Sequence, residues 1–135
     1  MILSLPEPVL VVDDEAHIRR YLRLLLRQLG VERVVEAPTG DAALILAGEM
    51  DPGLVLLDIN MPGRNGLETL RALKTMRPAC PVVILSSLGS RFAVQEAAEA
   101  GALAYIRKDT SREEICRLLL ELFPAQGAAA VEGKA

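Results

Sequence analysis

Four short apolar runs end on residues that can do chemistry. Val9 to Val12 stops at Asp13-Asp14, Leu54 to Leu57 at Asp58, Val82 to Leu85 at Ser86-Ser87, and Ala102 to Arg107 at Lys108. As parallel strands of one sheet, these runs would bring three carboxylates, a hydroxyl and an ammonium onto one rim. Carboxylates crowded so closely repel one another unless a cation joins them. An oxygen-only donor set, with no Cys or suitable His nearby, suits Mg2+ (or Mn2+) rather than Zn2+. A carboxylate beside such a cation and a lysine is equipped for phosphoryl transfer. The carboxylate attacks in line, and the positive charges neutralise the oxygens of the moving group. A hydroxyl on the neighbouring strand can hydrogen-bond a phosphoryl oxygen after transfer. Asp13 or Asp14 taken alone reads equally well as a helix cap. Four strand ends carrying complementary groups outweigh that reading.

The elements that must hold these groups follow from hydropathy. The strand runs are continuously apolar, as strands covered on both faces of a parallel sheet should be. A weaker run, Val31 to Ala37, predicts a further strand. Between the runs lie helical patterns. In the first, Ile18, Leu22, Leu25, Leu26 and Leu29 share a face, while Arg19, Arg20, Arg23 and Arg27 lie largely off it and read as solvated. Gly30 closes that helix, Thr39 or Gly40 opens the second, and Leu67, Leu70 and Leu73 mark the third. The fourth runs from Arg91 to Ala100 and ends at Gly101. Ser111-Arg112-Glu113-Glu114 predicts a capping box at the start of a fifth, which stops at Pro124. Five strand–helix units mean an open parallel sheet with helices on both faces. Ligands of such sheets bind outside the carboxyl ends of the strands, where the strand order reverses.

Composition narrows the field further. A chain of 135 residues has room for one domain, and 51% hydrophobic residues exclude disorder as the main state. The domain is expected over residues 1–124, with 125–135 a featureless tail or linker stub. Only 3% of residues are aromatic and none is Trp, which disfavours base or sugar stacking. A net charge of -3 argues against broad nucleic-acid binding. Cys80 and Cys116 have neither metal-ligand nor disulfide-framework spacing and read as free thiols of a reducing compartment. No secretory signal or apolar run of membrane-spanning length is visible, so a soluble cytoplasmic protein is expected.

The segments Leu10-Val11-Val12-Asp13-Asp14-Glu15, Leu56-Leu57-Asp58-Ile59-Asn60-Met61-Pro62, Val83-Ile84-Leu85-Ser86-Ser87 and Gly101-Ala102-Leu103-Ala104-Tyr105-Ile106-Arg107-Lys108 together resemble the response-regulator receiver domain of two-component signalling. The resemblance covers Val9 to about Phe123. It implies a flavodoxin-like α/β fold, a doubly wound five-stranded sheet of order 2-1-3-4-5 with five helices. It implies a signalling domain, not an enzyme, in which Asp58 accepts a phosphoryl group from a histidine kinase or phosphotransfer protein. Asp14, Asp58 and the backbone carbonyl of Asn60 match the direct Mg2+ ligands, and Asp13 matches the acid that reaches the metal through water. Lys108 matches the lysine that pairs with the acyl phosphate. Ser86 matches the switch hydroxyl, and Tyr105 the aromatic that swings inward with it. The face made by the fourth helix, fifth strand and fifth helix, with Tyr105, Arg107, Arg112 and Arg117, would meet an output domain or protein. The resemblance also allows a homodimer on phosphorylation.

Two positions depart from the family pattern. Asp109 replaces the proline that commonly follows the lysine, so a trans Lys108-Asp109 peptide is expected. Leu88, two residues after the switch hydroxyl, should flank with Asn60 the path of water to the acyl phosphate. An apolar residue there would order that water poorly and lengthen the phosphoryl lifetime. His17, the single histidine, reads as a solvated helix residue. Two other functions remain open: a haloacid-dehalogenase-like phosphatase, disfavoured because Asn60 stands where a second Asp is needed, and an unphosphorylated interaction module.

Overall fold

Runs of Val, Leu and Ile alternate with amphipathic segments, and in the computed structural model, which describes residues 5–61 and 66–123, each becomes a strand or a helix. In chain order these are β1 (Val9–Val12), α1 (Ala16–Gln28), β2 (Val34–Ala37), α2 (Gly40–Glu49), β3 (Leu54–Leu57), α3 (Gly66–Met76), β4 (Val82–Ser86), α4 (Arg91–Glu99), β5 (Ala104–Arg107) and α5 (Arg112–Leu122). The sheet runs β2-β1-β3-β4-β5 with every pair parallel. This is the doubly wound, flavodoxin-like α/β fold expected above. The order reverses between β1 and β3.

Successive strand residues alternate between two cores. Val9, Val11, Leu54, Leu56, Val83, Leu85 and Ile106 face Leu22, Leu25 and Leu26 of α1 and Ile115 and Leu119 of α5. Leu10, Val12, Val55, Leu57, Val82 and Ile84 face Ala43 and Ala47 of α2, Leu70 and Leu73 of α3 and Ala97 of α4. Each fully buried Leu or Val stabilises the fold by about 1.5–3 kcal/mol. With this much burial on both faces, the register of the sheet has little freedom to slip.

That register positions the rim. Val12 is paired with Leu57, so Asp13 and Asp58 leave neighbouring strands at one level. Ser86 is paired with Arg107, which sets Lys108 one residue beyond it.

Helix ends follow their local signals. Gly30 and Gly101 adopt φ of 91° and 106°. Each closes its helix with paired turn bonds, Val31 N–H to Leu26 O with Gly30 N–H to Arg27 O, and Ala102 N–H to Ala97 O with Gly101 N–H to Ala98 O. Thr39, Ser90 and Ser111 each accept an amide hydrogen bond at the start of α2, α4 and α5.

Two local expectations change. The second strand begins at Val34, not Val31, because the Val31 amide is spent on the end of α1 and Glu32 and Arg33 are exposed. The capping box is only half made: Ser111 Oγ accepts from Glu114 N, but the Glu114 carboxylate turns to the Arg117 guanidinium. The Lys108-Asp109 peptide is trans, and among the described residues the cis peptide bond is Glu7-Pro8. The expected tail, 125–135, and the stop at Pro124 lie outside the described residues.

Candidate functional site

Asp13 follows β1 directly, and its N–H continues the sheet ladder to Ala37 O at 3.1 Å. Asp58 follows β3 in the same way, its N–H reaching Val12 O at 2.9 Å. Each is therefore held by sheet hydrogen bonds while its side chain leaves the last pleat. Asp13 is 1% exposed and Asp58 2%, an unusual depth for carboxylates. Each is satisfied locally in part: Asp13 Oδ1 accepts from Glu15 N and Asp58 Oδ1 from Asn60 N, both at 2.9 Å. Asp14, between Asp13 and Glu15, is exposed. One oxygen from each of Asp13, Asp14 and Asp58 lies within 4.8 Å of the others. Neither Asp13 nor Asp14 caps α1, whose N-cap is Glu15 without a side-chain bond. The capping explanation of the acidic pair therefore falls.

Lys108 arrives from the far side of the sheet. Its N–H bonds Ser86 O at 2.9 Å, which anchors the residue to the end of β4. Its Nζ stands 2.8 Å from Asp13 Oδ2 and 3.1 Å from Asp58 Oδ2, with Glu15 Oε1 at 3.4 Å. Burial pushes the Asp58 carboxyl above the usual carboxylate range, although the Asn60 amide and the Lys108 ammonium oppose this. Burial alone would lower the Lys108 ammonium. The hydrogen bond it donates to Asp13 and the charges of both carboxylates outweigh burial and raise the group instead. One ammonium among this many carboxylates leaves the rim net negative.

Ser86 is fully buried at the end of β4, and its Oγ accepts from Leu88 N at 3.1 Å. That bond uses an oxygen lone pair and not the hydroxyl hydrogen. The Leu88 carbonyl in turn accepts from the Tyr105 hydroxyl at 2.8 Å. The main chain of Leu88 thereby joins the two residues expected to act as a switch pair. His17 is exposed on α1, as expected.

Five of the six expected side chains, Asp13, Asp14, Asp58, Ser86 and Lys108, cluster at this rim. Tyr105 lies beyond it, tied in through Leu88, and Asn60 contributes its amide. A family model described as the response regulator receiver domain matches residues 9–120. The chain belongs to the response regulator receiver family. This receiver domain is 38% identical over 112 residues to the transcriptional regulatory protein PdtaR of Mycobacterium tuberculosis, covering 83% of this chain and 54% of that protein. It is 36% identical over 115 residues to the nitrate/nitrite response regulator protein NarL of Escherichia coli, covering 84% and 53%. The receiver thus spans about half the length of these curated relatives. Among solved structures, the CheX-CheY-BeF3-Mg+2 complex from Borrelia burgdorferi superposes with a TM-score of 0.83 at 25% identity, covering 90% of this chain and 92% of that one. Vibrio cholerae chemotaxis protein CheY4 gives 0.78 at 27% identity, covering 85% and 97%.

Sequence reasoning missed two features of the site. Glu15 adds a carboxylate beside Lys108 at the mouth. Arg19 and Arg23, read as solvated, instead grip the two oxygens of Glu36 on β2 at 3.0 and 2.7 Å. The signal was present: a lone carboxylate inside an apolar strand, beside a helix with arginines four residues apart. The expected partner face carries Arg107 paired with Asp109, and Arg117 engaged by Glu114 and Glu121. Its most exposed large apolar residue, Phe92 at 70%, was not anticipated.

Proposed function

We propose that this receiver domain takes a phosphoryl group onto Asp58 from a sensor histidine kinase or phosphotransfer protein, with Mg2+ as cofactor. The observation that supports it best is the arrangement at Asp58. A buried carboxylate lies 3.1 Å from one ammonium and close to two further aspartates, with the Ser86 hydroxyl at the end of the neighbouring strand. The donor set fits Mg2+, since it is all oxygen, mutually close and under-neutralised by Lys108 alone. Asp13, Asp14, Asp58 and the Asn60 carbonyl would hold it. Bound there, the ion supplies charge neutralisation for the phosphoryl oxygens and for the crowded carboxylates.

The protein's own groups supply the rest. A carboxylate oxygen of Asp58 forms the new bond to phosphorus as the bond to the donor nitrogen breaks and the imidazole leaves. Lys108, anchored by its backbone to Ser86, pairs with an oxygen of the transferred group. Ser86 donates its hydroxyl hydrogen to another. Drawing Ser86 toward that oxygen strains its contact with Leu88 N–H and, through Leu88, the hold on Tyr105. The face of α4, β5 and α5 then changes packing and acts on an output domain or partner protein. The reading carries a cytoplasmic location, and among the described residues no helix is long and apolar enough to cross a membrane. It treats residues 1–124 as the signalling domain and includes a homodimer formed on phosphorylation.

Incubation with Mg2+ and acetyl phosphate should add the mass of one phosphoryl group to the wild type and none to Asp58→Asn. Steady turnover of a phosphate ester would identify a phosphatase instead. No adduct at all would identify an interaction module that is not phosphorylated.

A further inference from the structure

Asp13 and Asp58 each have two partners for their carboxylates, but the exposed Asp14 depends on its backbone for its position. The backbone carbonyl of Asp13 lies past the end of β1, where among the described residues no backbone amide takes it. It accepts instead from Arg19 Nη1 at 2.7 Å. That oxygen belongs to the rigid peptide plane joining Asp13 to Asp14, so holding it restrains the direction in which Asp14 leaves the chain. Arg19 is itself immobilised. Its Nε donates to Glu36 Oε1 at 3.0 Å, and its side chain is only 16% exposed. The other Glu36 oxygen takes Arg23 Nε at 2.7 Å, and Arg23 Nη2 reaches Val34 O at 3.2 Å. A planar guanidinium can hold two acceptors at a set angle, which a lysine cannot.

We propose that Arg19 is a positioning residue for the acidic rim: clamped to Glu36 on β2, it holds the Asp13–Asp14 peptide and so places the Asp14 carboxylate for a divalent cation. The proposal rests on reading the rim as a Mg2+ site.

Calorimetric titration with Mg2+ separates positioning from charge. Removing a nearby cation would, by Coulomb's law alone, tighten Mg2+ binding. Positioning requires the opposite: Arg19→Met weakens it about tenfold, the lower end of what losing outer support of a metal ligand does. Arg19→Lys does not restore the affinity, and Glu36→Gln gives a smaller loss in the same direction. In an Asp14→Asn background the Arg19→Met effect shrinks to about twofold or less, because the two residues act through one route. Arg19→Met binding Mg2+ as tightly as wild type, or an undiminished effect in the Asp14→Asn background, overturns the proposal. If Arg19→Met fails to fold, unchanged affinity in Glu36→Gln does so. Absence of Mg2+ binding in the wild type would instead overturn the Mg2+ reading itself, and this proposal with it.

Discussion

Leu88 uses its backbone and its side chain for different things. Its N–H goes to Ser86 Oγ and its carbonyl accepts from the Tyr105 hydroxyl, while the residue remains 45% exposed. Any residue but proline could supply the backbone link, so exchanging the side chain leaves that link in place. An apolar side chain gives an attacking water no hydrogen-bond partner. Leu88→Glu should therefore shorten the phosphoryl lifetime on Asp58 several-fold, followed by loss of the phosphorylated species after donor removal. An unchanged decay would remove Leu88 from the account of lifetime. The placement of Asp13, Asp14, Asp58, Ser86 and Lys108 at strand ends was legible residue by residue, because each ends an apolar run. The bond between Tyr105 and Leu88 was not, because it depends on how the turn after β4 folds back over β5.

At the scale of elements, α3 starts against the backbone that follows Asp58. A Cβ on Gly66 would lie 2.1 Å from Ile59 Cα, a distance that side chains do not tolerate. Gly66→Ala must therefore push the start of α3 away from the loop leaving β3. It should cost about 1–3 kcal/mol, as overpacking in a close-packed interior does, measured by denaturant unfolding. A variant as stable as wild type would show that this contact yields easily. The end of α1, the start of α2 and both ends of α4 were readable to within a residue or two from caps and glycines. The shortened β2 was not, since the Val31 amide had two competing partners and the helix end won. The Glu36 clamp shows the same limit: charge pattern hinted at it, but only the packing of α1 beside β2 selected Arg19 and Arg23 from four arginines.

For the whole molecule, the acidic rim is a local cost that the surrounding cores support. Burial raises the Asp58 carboxyl above its ordinary value of 3.8. A group raised in the folded state contributes stability that is present below its unfolded value and lost as pH rises through the folded one. Metal-free wild type should therefore melt lower than Asp58→Asn at neutral pH, and the gap should close as pH falls toward that ordinary value. Each 1 kcal/mol of relief shifts the midpoint by roughly 4 °C in a domain of this size. Mg2+ should raise the wild-type midpoint more than that of Asp58→Asn, since binding to the folded state adds to its stability. A wild type that melts above Asp58→Asn without metal would mean that Lys108 compensates the buried charge fully.

The sequence by itself determined the five strand–helix units, the two-sided burial and the residue types at the strand ends. These follow from hydrophobic periodicity and from cap and turn chemistry, which act over a few neighbouring residues. Only the tertiary structure decided which of those groups meet. Lys108 and Asp58 are 50 residues apart in the chain, and the 3.1 Å between them exists because β4 lies between β3 and β5 in one register. Arg19 reaches the Asp13 carbonyl only because α1 lies against β1 and β2. Local pattern chooses the elements and the groups they carry; long-range packing sets the distances on which their chemistry depends.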